Sequence, residues 1–571
     1  MSNIVEKQGA VQHVEAYKTE GATKLKHAGD IKLLDEAGNV RRVPIASTDP
    51  NDPLNFSKWR KLGILVCCCF FSIFSLVLVG GLGPILPVFI ELYAPQGYSI
   101  QSIVNLTTYP SLVMACGSFV ILPLAIMYGR RPVFLGCCAL LLGTTIGAAM
   151  SNSFATHMAC RILQGFATGA TESVLPLIIT DMSFIDERGF WFGLYWGSQS
   201  VINAVFLISV SYLVAATNWR WFYWLLTILV AFGSVLGFFL LAETRYERSP
   251  SSLDGQVSYT DEFGVTVLLS DEEAIERFGT RQEIQDNTTE PEQFSYLHHI
   301  KPFHKAAPNA LHVGASVLWK MLQACSSPAV IWSILAASIS LGIGIAMSLC
   351  YGTILVESFH WSHASVGLVN AGIFPAALLS MLWAGYIGDK IVLWLAKRRD
   401  GTHIPEDILA VLIVPTIVSA VGIVVFAVTA MWPETHSSWG IIMGWTLLEF
   451  GFLVAIITTT HFASEAYPSN PGSALVMVIG VKNIVSFGAY KCASSSTQPA
   501  TNSCVGAAYG LTPMVTRFGY LDAFMILFAI FAFIFLMGVP VYYVNPGPFV
   551  LNIEPGSCAT DLGPVSRLAA R

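Results

Sequence analysis

The chain has 571 residues, of which 54% are hydrophobic and only 12% charged, with a formal net charge of −6. A soluble domain carries about 25% charged residues, so an array of soluble domains is excluded. No block of Lys and Arg marks a nucleic-acid surface, and no nucleic-acid partner is expected.

The first residues, up to about Phe56, are polar and contain no apolar stretch of the kind a cleavable leader needs. A cytoplasmic tail over 1–60 is expected, with the first apolar run acting as the insertion signal. Apolar runs then follow at 62–84, 104–127, 132–151, 156–180, 190–214 and 219–242. Each is near the roughly 20 residues that cross a bilayer. A polar connection covers 243–328, acidic around Asp271, Glu272, Glu273 and Glu276, and reads as a cytoplasmic linker. A second set follows at 330–353, 364–388, 407–431, 438–461, 473–490 continuing through 507–515, and 521–545, before a C-terminal tail at 546–571. The fold class expected is an all-α integral membrane protein with twelve transmembrane helices in two six-helix halves, 61–242 and 329–545. The polar stretch 491–504 interrupts the eleventh run; an outer loop, a re-entrant segment and a translated intron are all compatible with it.

Orientation follows from the short connections. Lys58, Arg60, Lys61, Arg130, Arg131, Arg188, Lys397, Arg398 and Arg399 fall on one side; Arg220 and Arg517 are exceptions. The basic side is cytoplasmic, so both ends of the chain are placed there. The twelve cysteines include Cys67, Cys68 and Cys69 inside one apolar run, which reads as buried packing rather than a disulfide framework. No metal-ligand spacing, nucleotide loop or catalytic constellation is visible, so no metal, cofactor or enzymatic role is expected.

Ionisable groups within apolar runs are expensive and are functional candidates by default. Arg161 and Glu172 lie three turns apart near one face of the fourth run, and Glu449 lies deep in the tenth. They are the candidates for proton coupling. For Arg161 the alternative is a cation capping backbone carbonyls; for Glu172 it is a static hydrogen bond to a neighbouring helix. Gln164, Tyr195, Asn203 and Asn370 are candidates for a solute cavity, with interhelical bonding as the competing role. Lys482 and Asn483 are expected to pair with Glu465 as a structural latch.

Several stretches resemble the major facilitator superfamily, and within it fungal drug:proton antiporter-like carriers. They are Asp49-Pro-Asn-Asp-Pro-Leu-Asn-Phe-Ser-Lys-Trp-Arg60 before the first run, Tyr128-Gly-Arg-Arg-Pro132, Arg161-Ile-Leu-Gln-Gly165, Asp186-Glu-Arg-Gly189, Asn218-Trp-Arg-Trp221 and Gly385-Tyr-Ile-Gly-Asp389-Lys390. The pattern departs from the family at Leu122 and Ile126, where a glycine and an aspartate would fall, and at Phe206-Leu207, where Gly-Pro would fall. The resemblance implies a secondary transporter working by alternating access. Proton-coupled efflux of an amphipathic drug, toxin or secondary metabolite across the plasma membrane leads; nutrient import and a transporter-like sensor stay open. A cytoplasmic gate of ion pairs is expected from Arg130, Arg131, Asp389, Lys390, Glu187 and Arg188, with Asp181 beside them and ordinary solvated surface charges as the alternative; for Arg130, Arg131 and Asp389 the resemblance implies the gate. The partners expected are a small organic solute, protons and the lipid bilayer, around a monomer.

Overall fold

The computed structural model describes residues 31–32, 49–82, 85–246, 251–253, 256–260, 266–270, 301, 310–361, 365–399, 402–467, 471–492 and 511–544. The tail residues 1–30 and 545–571, the acidic middle of the linker and most of the polar stretch 491–504 lie outside them.

Apolar sequence in a bilayer leaves the backbone no partner but itself, and the chain answers with helices. In order they are α1 Lys58–Gly80, α2 Leu86–Tyr93, α3 Ile100–Tyr128, α4 Arg130–Ala149, α5 Phe154–Glu172, α6 Val174–Met182, α7 Ile185–Ala216 and α8 Trp219–Leu240. The second series is α9 Ala310–Ala324, α10 Pro328–Glu357, α11 Ile373–Ser380, α12 Gly388–Arg398, α13 Ile413–Met431, α14 Trp439–Ala466, α15 Pro471–Cys492, α16 Leu511–Leu536 and α17 Gly538–Val544. Local sequence sets several starts: the side chains of Ser57, Ser99, Ser153 and Asn218 accept from the first-turn N–H groups of α1, α3, α5 and α8.

Among the described residues, 11 helical stretches are long and apolar enough to cross a membrane. The expected eleventh crossing departs from this. It is α15, whose apolar part, Gly472–Val485, falls short of that length. The fourth crossing is broken at Ser173 (φ −125°, ψ −71°), directly after Glu172, which separates α5 from α6. The eighth runs from Val366 to Arg398, longer than expected, through a π-helical turn at Met381–Ile387.

Within the first series α3 packs on α5, α4 on α5 and α8, and α1 on α7 and α8; within the second, α14 packs on α10 and α13, and α16 on α13. The two series meet where α3 lies along α15 and where α7 lies along α11 and the π-helical turn. Contacts are close because small residues line them. A Cβ at Gly165 would stand 2.3 Å from the Pro110 carbonyl oxygen, so α3 and α5 touch backbone to backbone there.

The segment before α1 is folded and buried. Asp49 accepts from the Asn51 N–H and from its amide (2.8 Å each), Asp52 caps the turn Pro53–Asn55, and Tyr246 donates to Asp49 (2.8 Å). In the linker, α9 turns Val313, Val317 and Met321 inward, the spacing of one helical face. Short antiparallel strands also occur. Ser251–Leu253, Gln256–Thr260 and Thr266–Ser270 form one sheet, and Ile31–Lys32 pairs with Thr402–His403.

Candidate functional site

Arg161 is fully buried on α5. Its guanidinium donates to the carbonyls of Leu106 (3.0 Å), Val79 (2.9 Å) and Leu78, and to the Gln164 side chain (3.0 Å). Gln164 in turn donates to the Thr144 carbonyl (3.2 Å). The planar fork of donors fits this role: it staples the end of α1 to α3, α4 and α5. Among the described residues it makes no ion pair. Backbone capping is thus the arrangement observed for Arg161, and interhelical bonding is the one observed for Gln164. One turn earlier, His157 bonds to Tyr93 (3.1 Å) and Tyr223 (2.7 Å), closing the same end of the bundle.

Glu172, the last residue of α5, is also buried. Its carboxylate accepts from Asn483 and lies 3.7 Å from the Lys482 ammonium, both on α15. The expected pairing of Lys482 and Asn483 with Glu465 is therefore corrected: α15 presents both side chains to α5, and Glu465 is engaged elsewhere. Hydroxyls extend the Glu172 site. Thr171 bonds to Ser75 (3.0 Å), and Tyr195 donates to the Thr171 carbonyl (2.8 Å). Tyr195 is fully buried, so it ties α7 to α5.

Glu449 sits on α14, one turn after Trp445. Facing it, α10 carries Gly344 and Tyr351, two turns apart on one face. Tyr351 and Trp445 pack edge to face with ring centres 5.5 Å apart, and the Asn370 amide reaches the Tyr351 hydroxyl (3.5 Å). On α7, the Asn203 carbonyl oxygen, the Gln199 amide nitrogen and the Trp196 indole N–H are buried without a hydrogen-bond partner among the described residues. Ala204, next to Asn203, packs in the apolar cluster that holds Trp445.

The charged end of the bundle divides the six expected gate residues. Arg130 pairs with Asp181 (3.1 Å), and its N–H donates to Glu243 (2.9 Å). Glu243 also accepts from the N–H groups of Arg131, Thr244 and Arg245. Because Gly129 (φ 103°) offers no capping side chain, a carboxylate from beyond α8 caps α4 instead. The Arg131 guanidinium donates to the carbonyls of Phe238 (2.7 Å) and Leu241. Both arginines are thus engaged within the first series. Contacts between the series come from Arg188 and Asp389. Arg188 lies 4.0 Å from Glu465, and Asp389 accepts from the Phe190 N–H (3.2 Å). Lys390 lies over the Tyr386 ring (5.7 Å), and Glu187 has no side-chain bond among the described residues.

Three participants were missed in the sequence. His403 and His461 each contact Glu465 at 2.9 Å, and Glu243 caps α4. The spacing of His461 and Glu465, i and i+4 on one helix, was readable; His403 and Glu243 gave no local signal. A glycine repeat, Gly189, Gly193 and Gly197, was readable too. It faces Asp389, Gly385 and Met381 across the contact between series.

Long apolar helices around buried ionisable groups make this an integral multi-pass membrane protein. The model of the Major Facilitator Superfamily matches residues 62–489, and the chain belongs to that family of transporters. An uncharacterized MFS-type transporter of Schizosaccharomyces pombe is 23% identical, the match covering 80% of this chain and 81% of that one. The efflux pump radE of Floropilus chiversii is 22% identical over 80% of this chain and 78% of its own length. Among solved structures, the proton:xylose symporter XylE shares the fold with a TM-score of 0.55 at 10% identity, covering 86% of this chain and 97% of that one.

Proposed function

We propose that this transporter is a secondary active carrier that exports an amphipathic organic compound against proton entry, by alternating access of two six-helix halves. The observation that carries the coupling is the buried pair of Glu172 and Lys482, one group from each half. A buried carboxylate attracts the ammonium only while ionised. A proton on Glu172 neutralises it and releases the tie between α5 and α15. Proton binding and contact between halves then compete, which is the requirement for a coupled carrier. Arg188 with Glu465, and Asp389 with the start of α7, hold the charged end shut in this state. The basic loops favour a cytoplasmic position for that end and for both chain ends, and the export reading places the carrier in the plasma membrane. Named fungal relatives such as the efflux pump radE support the direction.

The test is flux in proteoliposomes of the purified full chain under an imposed pH gradient. Solute movement coupled to counterflow of protons, abolished by a protonophore, is expected. Solute movement in the same direction as protons would establish import instead. Binding with no movement would leave a sensor.

A further inference from the structure

We propose that the second half holds a recognition pocket for the positively charged group of an organic solute, with Glu449 as counter-ion and Tyr351 and Trp445 as walls. The proposal rests on the carrier reading and narrows its solute to an organic cation.

The deep acids of the described chain divide sharply by partner. Glu172 has Lys482 and Asn483, Glu465 has His403 and His461, and Asp407 has Arg399 at 2.9 Å. Glu449 has neither a hydrogen bond nor an ion pair among the described residues, and its side chain is only partly buried, so it stays reachable from the space beside it. A charge or polar group kept in the membrane interior without a partner is costly. That cost is offset when a ligand supplies the partner. Room for one lies beside α10: a Cβ built on Gly344 would meet only the Glu449 carboxylate, at 3.9 Å.

The surroundings select the ligand. Tyr351 and Trp445 stand at the edge of this space, and aromatic faces attract cations, more strongly when water is excluded. The Trp445 indole N–H is buried and has no partner among the described residues, and the Asn370 amide reaches the Tyr351 hydroxyl. A carboxylate repels an anion, and a neutral apolar solute would leave it unpaired. A protonated amine or an onium group on an apolar body satisfies the carboxylate and both rings together.

Equilibrium binding to the purified full chain in detergent tests this. The probes are tetraphenylphosphonium, a quaternary ammonium dye and a protonated tertiary amine, with tetraphenylborate as an anion of matching shape. At least one cation should bind and the borate should not. Glu449→Gln should weaken cation binding by roughly tenfold or more, and Glu449→Asp by less. Binding of none of the three cations, preference for the borate, or unchanged affinity in Glu449→Gln overturns the pocket. If Glu449→Gln does not elute as folded protein, carbodiimide labelling of the wild type replaces it. A saturating bound cation should shield Glu449 from modification, and an unshielded Glu449 overturns the proposal. Cation binding without flux in proteoliposomes would keep the pocket and remove the carrier reading. Flux of a neutral or anionic solute with no cation bound would do the reverse.

Discussion

Lys482 on α15 lies 3.7 Å from Glu172 on α5, and the pair joins the two series of helices at a buried position. Removing either partner strands the other charge, which costs about 3–5 kcal/mol for a buried pair. Removing both costs less than the sum. A double-mutant cycle of Glu172→Gln and Lys482→Met, read by thermal unfolding in detergent, should give a coupling energy of about 1–3 kcal/mol. Additive effects would dissolve the pair as an energetic unit. In flux assays Glu172→Gln should also flatten the dependence of transport on pH; an unchanged profile removes Glu172 as the proton carrier.

Arg161 is a staple, so its loss should act first on stability. Arg161→Ala leaves the carbonyls of Leu78, Val79 and Leu106 without their donor and should cost about 3–5 kcal/mol. Arg161→Lys, with a point charge in place of a planar fork, should recover only part of it. The measurement is the melting temperature of purified protein. A variant with wild-type stability but lost flux would restore Arg161 to the coupling machinery.

Glu465, in the second series, lies 4.0 Å from Arg188 in the first, and on the proposed function this contact keeps the charged end closed. Glu465→Gln should shift the population toward the state open at that end by about 1–2 kcal/mol. Spin labels at the exposed positions Tyr128 and Lys397 should report a longer distance between them in that variant. An unchanged distance distribution would remove the contact as a determinant of that population.

Gly193 packs against the backbone of Gly385: a Cβ on Gly193 would stand 3.4 Å from the Gly385 Cα. Gly193→Ala should therefore be tolerated. Gly193→Leu should hold α7 off the π-helical turn and abolish flux while the protein still inserts. Full flux in Gly193→Leu would show that this contact need not form.

The apolar spans were readable because length and hydropathy are local properties, and Glu172 and Glu449 because charge in such spans is rare. Partner choice was not readable. Glu465 is the acid nearest to Lys482 and Asn483 along the chain, but the rotation of α15 turns both side chains to α5, a fact settled by packing between distant segments. The departure at Ile126 was visible, whereas the capping of α4 by Glu243 depends on where the end of α8 comes to rest. Arg161 shows the converse: its position was evident, but the neighbours that packing brings to it, the carbonyls of Leu78, Val79 and Leu106, decided what it binds.

The Gly189, Gly193 and Gly197 face has a consequence for reversibility. In a bilayer, helices adhere through close fit rather than through expulsion of water. Where Gly193 meets Gly385 the seam is backbone on backbone and parts without any rotamer having to be withdrawn, while the side chains of Asp389 and Met381 lie against Gly189 and Gly197 on either side of it. Such a seam is suited to being opened and shut at every turnover.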